Sequence, residues 1–338
     1  MKTSLEELLA TRPWLLADGA TGTSYFASGL QSGDAPELWN EEHPERVRAV
    51  HRSFIDAGAD LVLTNSFGGS AYRLKLHGLE GRVREINRRA AELARLVADV
   101  ADRPVLVAGS MGPTGEIFQP VGTLSHEDGV AAFTEQARGL KEGGVDILWI
   151  ETISSEEELR AAVEGASSVG LPIVSTMSFD TNGRTMMGIT PKAFGALAGS
   201  LPVQPSAIGA NCGTGASELV ATVVGIAEAR PDAVVVAKGN CGVPAYVDGH
   251  IHYSGTPELM ADYARLALDA GARIIGGCCG TTPEHLVAMR KALEVHRKGE
   301  RPTVEAIEQR LGAVSPLAHG QDTAAEGASR RERRRGRG

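Results

Sequence analysis

The sequence predicts a single-domain (β/α)8 barrel, and three observations predict it. One junction recurs, in which a helical stretch ends at glycine and a short apolar run begins two or three residues later. It appears as Ala57-Gly58-Ala59-Asp60 into Leu61-Val62-Leu63-Thr64, as Gly143-Gly144-Val145-Asp146 into Ile147-Leu148-Trp149-Ile150, and as Ala270-Gly271-Ala272-Arg273 into Ile274-Ile275. Eight apolar runs in all alternate with amphipathic stretches. The turn after the first run reads Asp18-Gly19-Ala20-Thr21-Gly22, without the Gly-x-Gly-x-x-Gly of a dinucleotide-binding sheet, which counts against an open doubly wound sheet with a second domain.

Taken in order, the expected strands are Trp14 to Ala17, Leu61 to Thr64, Val105 to Ala108, Ile147 to Ile150, Ile173 to Met177, Ala207 to Gly209, Ala233 to Val236 and Ile274 to Ile275. Short unbroken apolar runs fit parallel strands covered on both faces, and the glycine of the recurring junction fits the left-handed residue that closes a helix. Val47, Val50 and Phe54 share one face of a helix ahead of the second strand. After the eighth, Thr282 caps a helix with Pro283 in its first turn, and Leu286, Met289 and Leu293 form its apolar stripe. The barrel occupies residues 1–313 in this reading. From 314 to 338 the chain turns to Ala, Gly, Ser, Asp and Arg, an expected disordered basic tail.

With 42% hydrophobic and 22% charged residues, the 338-residue chain has the composition of a globular protein with a large core. No apolar run approaches the ~20 residues of a membrane span, and Glu6 and Glu7 stand where a signal peptide carries positive charge. A cytoplasmic protein with no membrane partner is expected. Net charge is −8, and the six arginines and three carboxylates of residues 314–338 leave −11 on the rest, which argues against nucleic acid as a partner. Four cysteines in a chain of this length and compartment point to metal or catalytic use rather than a disulfide framework.

In a barrel the functional face lies at the C-terminal ends of the strands. Asp18, Thr64-Asn65, Glu151, Asn211-Cys212 and Cys278-Cys279 all stand there. Three thiols at two strand ends fit zinc, whose catalytic sites keep three protein ligands and one open position. Neighbouring side chains of a strand point oppositely, but Gly276-Gly277 and Gly280 free the backbone to turn both sulfurs inward. The alternative is that Cys278 and Cys279 are small buried residues or a vicinal disulfide and Cys212 a core thiol. Cys241 is read as a spectator, three thiolates being enough; in a closed, non-enzymatic zinc site it would be the fourth ligand. Asp18 and Glu151 either cap helices and pair with arginines, or hold a cationic group over the metal. The small residues after Asp18 and the place of Glu151 at the end of a buried strand favour the second. Two carboxylates at strand ends also suit a glycoside hydrolase, against which the 4% aromatic content counts, since sugars stack on rings.

Together with Gly58-Ala59-Asp60 through Thr64-Asn65-Ser66-Phe67, Gly109-Ser110-Met111-Gly112-Pro113-Thr114-Gly115, Ile150-Glu151-Thr152, Gly209-Ala210-Asn211-Cys212 and Gly276-Gly277-Cys278-Cys279-Gly280-Thr281-Thr282-Pro283-Glu284-His285, these residues resemble the homocysteine S-methyltransferase family, from about Leu15 to Leu286. The resemblance implies a barrel in which Cys212, Cys278 and Cys279 bind Zn2+ and the sulfur of homocysteine completes the coordination. It also implies that Asp18 and Glu151 hold the substrate amino group, assisted by the backbone at Gly19, and that the chain forms a homo-oligomer. Metal coordination deprotonates a thiol at neutral pH, so no general base is required at the sulfur.

For the donor, Ala35-Pro36-Glu37-Leu38-Trp39-Asn40, Lys238-Gly239-Asn240-Cys241-Gly242-Val243-Pro244 and Tyr253-Ser254-Gly255-Thr256-Pro257-Glu258-Leu259 are most similar to bacterial betaine–homocysteine methyltransferases, which implies glycine betaine. A quaternary ammonium is held by ring faces, and Trp39 is expected as one wall of such a cage. Thr152 and Gly68 stand where animal betaine enzymes carry tyrosines, so Tyr25, Tyr72 and Tyr246 are offered as substitutes. The alternative is a stand-alone homocysteine module of a split cobalamin-dependent methionine synthase, served by a separate corrinoid protein. Asp248-Gly249-His250-Ile251-His252-Tyr253 lacks the glycine of an Asp-x-His-x-x-Gly cobalamin signature, so any cobalamin would arrive on that partner. S-methylmethionine is a further donor candidate.

Overall fold

The computed structural model describes residues 3–242, 244–247 and 250–320. Eight parallel strands, β1 (Leu15–Leu16), β2 (Leu61–Leu63), β3 (Leu106–Met111), β4 (Ile147–Ile153), β5 (Ile173–Met177), β6 (Ala207–Cys212), β7 (Val235–Gly239) and β8 (Ala272–Gly277), each lie beside their neighbours in the chain. β8 pairs back onto β1 through Leu15 and Ile274. A bridge between Ala17 and Leu61, with the Asp18 N–H donating to the Leu61 carbonyl at 3.1 Å, closes the ring between β1 and β2. The (β/α)8 barrel expected from the alternating runs is the fold observed.

The two-residue period of the strands divides the core. Leu15, Leu61, Leu63, Leu106, Ile147 and Trp149 belong to one buried cluster inside the barrel. Leu16, Val62, Val107, Leu148 and Ile275 face the other way and pack under the helices. The helix Leu5–Thr11, started by a capping box between Ser4 and Glu7, adds Leu5 and Leu8 to the inner cluster and so plugs the N-terminal end. Asp60, 1% exposed, anchors that end: its carboxylate accepts the Leu16 N–H at 2.9 Å and meets Arg12 at 2.7 Å and Arg290 at 3.1 Å.

At the opposite end the strands outrun their apolar residues. β3, β4, β6 and β7 continue to Met111, Ile153, Cys212 and Gly239, each beyond the expected end at Ala108, Ile150, Gly209 and Val236. Backbone pairing continues there, although the inward positions have become polar: Ser110, Glu151, Asn211 and Lys238 occupy the register that Ala108, Trp149, Ala207 and Val236 hold below. A hairpin of Pro244–Val247 with His250–Tyr253 follows β7, and a final helix spans Val304–Leu311; neither was expected. Residues 314–320 stay on the barrel surface, with the Ser315 N–H and hydroxyl donating to Glu218 at 2.7 and 2.8 Å. The rest of the basic tail, from 321, lies outside the described residues, as do Asp248, Gly249 and the side chain of Tyr246. Among the described residues no helix is long and apolar enough to cross a membrane.

Candidate metal and substrate site

Cys212 ends β6, and Cys278 and Cys279 follow β8. The Cys212 Sγ lies 3.0 Å from that of Cys278 and 3.7 Å from that of Cys279, all three sulfurs fall within 4.8 Å of one another, and all are free thiols. Tetrahedral zinc with Zn–S near 2.3 Å needs sulfurs ~3.8 Å apart, and three soft donors suit that ion, so the residues present fit it. Sulfurs this close share protons. Within the trio Cys279 is pulled down by its sulfur neighbours, whereas Cys212 is pushed up by the same neighbours and by burial.

Local backbone geometry makes this convergence. Cys212 adopts a left-handed φ of 59°, uncommon without glycine, and Thr152 does so at 64°. Asn211 holds both ends of that arrangement, accepting the Thr152 N–H at 2.9 Å and donating to its hydroxyl at 2.7 Å. Gly280, at φ 78°, turns the chain past Tyr253, whose ring leaves no room for a Cβ. Asn240 straps the two thiol loops together: Nδ2 donates to the Gly213 carbonyl at 2.8 Å and Oδ1 accepts the Cys279 N–H at 3.0 Å. Cys241 stands outside the thiol group. Its N–H donates to the Cys279 carbonyl at 2.9 Å, its buried thiol lies 3.2 Å from His285 Nε2, and burial pushes that thiol up to about 11.

A cavity of about 350 Å³ opens above the sulfurs, between the Gly19 to Thr23 turn and Phe67, with Glu37, Glu151 and Lys238 in its wall. At Gly19 a Cβ would strike the Phe54 ring and the Thr281 carbonyl at 2.6 Å, so only glycine lets the turn pack there. Glu151 Oε1 accepts the Ser110 hydroxyl at 2.5 Å, and burial raises this carboxyl to about 7. Asp18 does not line the cavity. One of its oxygens accepts the Leu63 N–H at 2.8 Å, the other meets Lys238 Nζ at 2.6 Å, and both residues are buried. Burial pushes the lysine down, but Asp18 and Glu151 outweigh it and leave the ammonium above its ordinary value, while burial raises the Asp18 carboxyl above its own, so the 2.6 Å contact is made by a charged lysine.

The structure does not bring Trp39 to the cavity either. Trp39 is 4% exposed, with its ring 5.7 Å from that of Tyr25 and 5.0 Å from that of His43, under the Arg46 guanidinium. The reason is its place on a tight helical turn: from the same motif Pro36 and Glu37 face the cavity, and Trp39, two residues on, faces the core. Tyr25 is buried with Trp39, and Tyr72 packs beside Phe118 and Leu124. Phe67 lies in the cavity wall. A larger hollow of about 640 Å³ lies on the barrel flank, by Pro191 and Val304, and holds none of the strand-end groups.

The family described as homocysteine S-methyltransferase matches residues 15–293. The chain belongs to that family. It is 31% identical over 318 residues to a methionine synthase of Mycobacterium tuberculosis and 32% identical over 319 residues to one of Mycobacterium leprae. These alignments cover 88% and 90% of this chain but 26% of each relative, so the chain spans about a quarter of their length. Among solved structures, the metallated homocysteine methyltransferase MmuM of Escherichia coli superposes with a TM-score of 0.69 at 27% identity, over 85% of this chain and 99% of that one. Lys238, Ser110, Asn240 and Glu37 are site residues that the sequence reading passed over. Lys238 left a signal, a single lysine ending the apolar run Val234-Val235-Val236-Ala237.

Proposed function

We propose that the protein is a zinc-dependent homocysteine S-methyltransferase that takes its methyl group from glycine betaine and yields methionine and dimethylglycine. The observation that carries this reading is the convergence of Cys212, Cys278 and Cys279 at the base of a cavity that also presents Glu151. Zinc held by the three thiolates would supply the Lewis acidity that keeps the substrate thiol ionised at neutral pH. Glu151, with one oxygen fixed by Ser110, offers the other to the substrate ammonium and so aims the sulfur at the thiol end. In the transfer the S–CH3 bond forms as the CH3–N bond of betaine breaks, and nitrogen keeps the electron pair and leaves as a neutral amine. A permanent cation has no hydrogen-bond donors, and Phe67, 39% exposed, supplies the ring face that it requires, beside the Glu37 carboxyl, which burial raises above its ordinary value.

The methionine synthase relatives support a second reading, a homocysteine module fed by a separate corrinoid protein. Methionine formation by the zinc-loaded protein, with homocysteine and either betaine, S-methylmethionine or methylcobalamin, separates the two. Turnover with betaine alone is expected. Turnover with methylcobalamin alone would favour the corrinoid reading, turnover with S-methylmethionine would reassign the donor, and none with any donor would remove the homocysteine assignment.

A further inference from the structure

Lys238 is a buried ammonium to which the proposed reaction gives no task. Ammonium groups are almost never buried without a partner, and Asp18 is that partner, yet it leaves the group unfinished. The nitrogen carries three N–H donors. Asp18 takes two, through Oδ1 at 2.6 Å and its main-chain oxygen at 3.2 Å, and among the described residues no further acceptor lies within hydrogen-bond range. Lys238 lines the cavity, whereas Asp18 stands behind it and does not. The face turned to the substrate is therefore a cation, beside the Gly19 turn, and Glu151 supplies an anion in the same wall. Of the charged residues in the wall, Arg73 and His77 neighbour Glu37, whereas Lys238 and Glu151 neighbour each other and Cys278, so the cation and the anion at the thiol end match the two charges of an α-amino acid.

We propose that Lys238 binds the α-carboxylate of the amino-acid substrate while Glu151 binds its ammonium, so that the site selects thiols carrying both charges. The proposal rests on the homocysteine reading and names the group that recognises the other half of that substrate. Asp18 is then a positioning residue, which holds the lysine in place through the contact at 2.6 Å. The competing account is that Lys238 serves only as the counter-charge of Asp18.

Methionine carries both charges but no free thiol, so its binding does not depend on a metal, and methioninol has the same chain and ammonium without the carboxylate. Calorimetric titration of the full chain with each is the test. The wild type is expected to bind methionine about 10- to 100-fold more tightly than methioninol, the range of a charge-assisted hydrogen bond. Lys238→Met should lose that advantage while keeping its affinity for methioninol, and Lys238→Arg should restore part of it. Equal wild-type affinity for the two ligands overturns the proposal even if Lys238→Met does not fold. Equal loss for both ligands in a folded Lys238→Met overturns it in favour of the counter-charge account. A wild type that discriminates between neither ligand because it binds neither methionine nor homocysteine removes the homocysteine reading, and the proposal with it.

Discussion

Glu151 loses its water at the top of the barrel, and this burial, only partly offset by Lys238, raises it from 4.5 to about 7. A substrate ammonium needs the anion. The KM for homocysteine should therefore rise as pH falls through about 7 and level off above it. Glu151→Gln should raise KM about 10- to 100-fold and abolish that slope, as a pH series of initial rates would report. The same shift acts on the fold with a definite sign. An ionised Glu151 burdens the folded state, so its contribution falls as pH rises from 4.5 to about 7. At the thiol end, Asn240→Ala should weaken metal affinity about 10- to 100-fold, because it frees both strapped loops, whereas Cys241→Ala should leave metal content unchanged. A competition titration with a coloured chelator reads both. The three thiols were legible in the sequence because cysteine at a glycine-flanked strand end is chemically pointed. Glu37 and Trp39 were not, since which of two residues on one tight turn faces a cavity depends on the rotation of that turn.

The strands were legible up to the point where their side chains change character. Apolar residues mark where a strand is covered by hydrophobic neighbours, but hydrogen bonding between strands does not depend on them. Reading the runs alone cuts β4 at Ile150, one residue before the carboxylate that gives the strand its role. Carrying the inward period one further step, from Ile147 and Trp149 to Glu151, or from Val236 to Lys238, would have predicted which polar residues point up the barrel axis. The N-terminal end obeys different needs. Asp60 joins β1, the chain before it and the helix Pro283–Val295 through one buried carboxylate. Asp60→Ala leaves the Leu16 N–H without its acceptor and the Arg12 guanidinium without a counter-charge, and leaves Arg290 with Glu294 as its remaining carboxylate partner. The expected loss is about 3 kcal/mol, seen as a lower urea midpoint with an unchanged slope.

For the whole molecule, ring closure was implied by the count of eight alternating units, but the path of the chain beyond it was not. Ser315 and Leu317 look like loop residues in sequence, yet Ser315 binds Glu218 twice and Leu317 covers the hollow near Val304. Ending the chain after Ala313 should cost about 1–2 kcal/mol of stability. Ending it after Gly320 should cost nothing and leave kcat/KM unchanged, and thermal melting with steady-state rates on both truncations tests this. The two thiol-bearing loops also stand 66 residues apart in the chain. During synthesis Cys212 leaves the ribosome well before Cys278 and Cys279 exist, and β8 must slot between β7 and β1 before the three meet. On the proposed zinc reading, metal would therefore load onto a chain whose barrel has already closed, late in the life of a nascent chain.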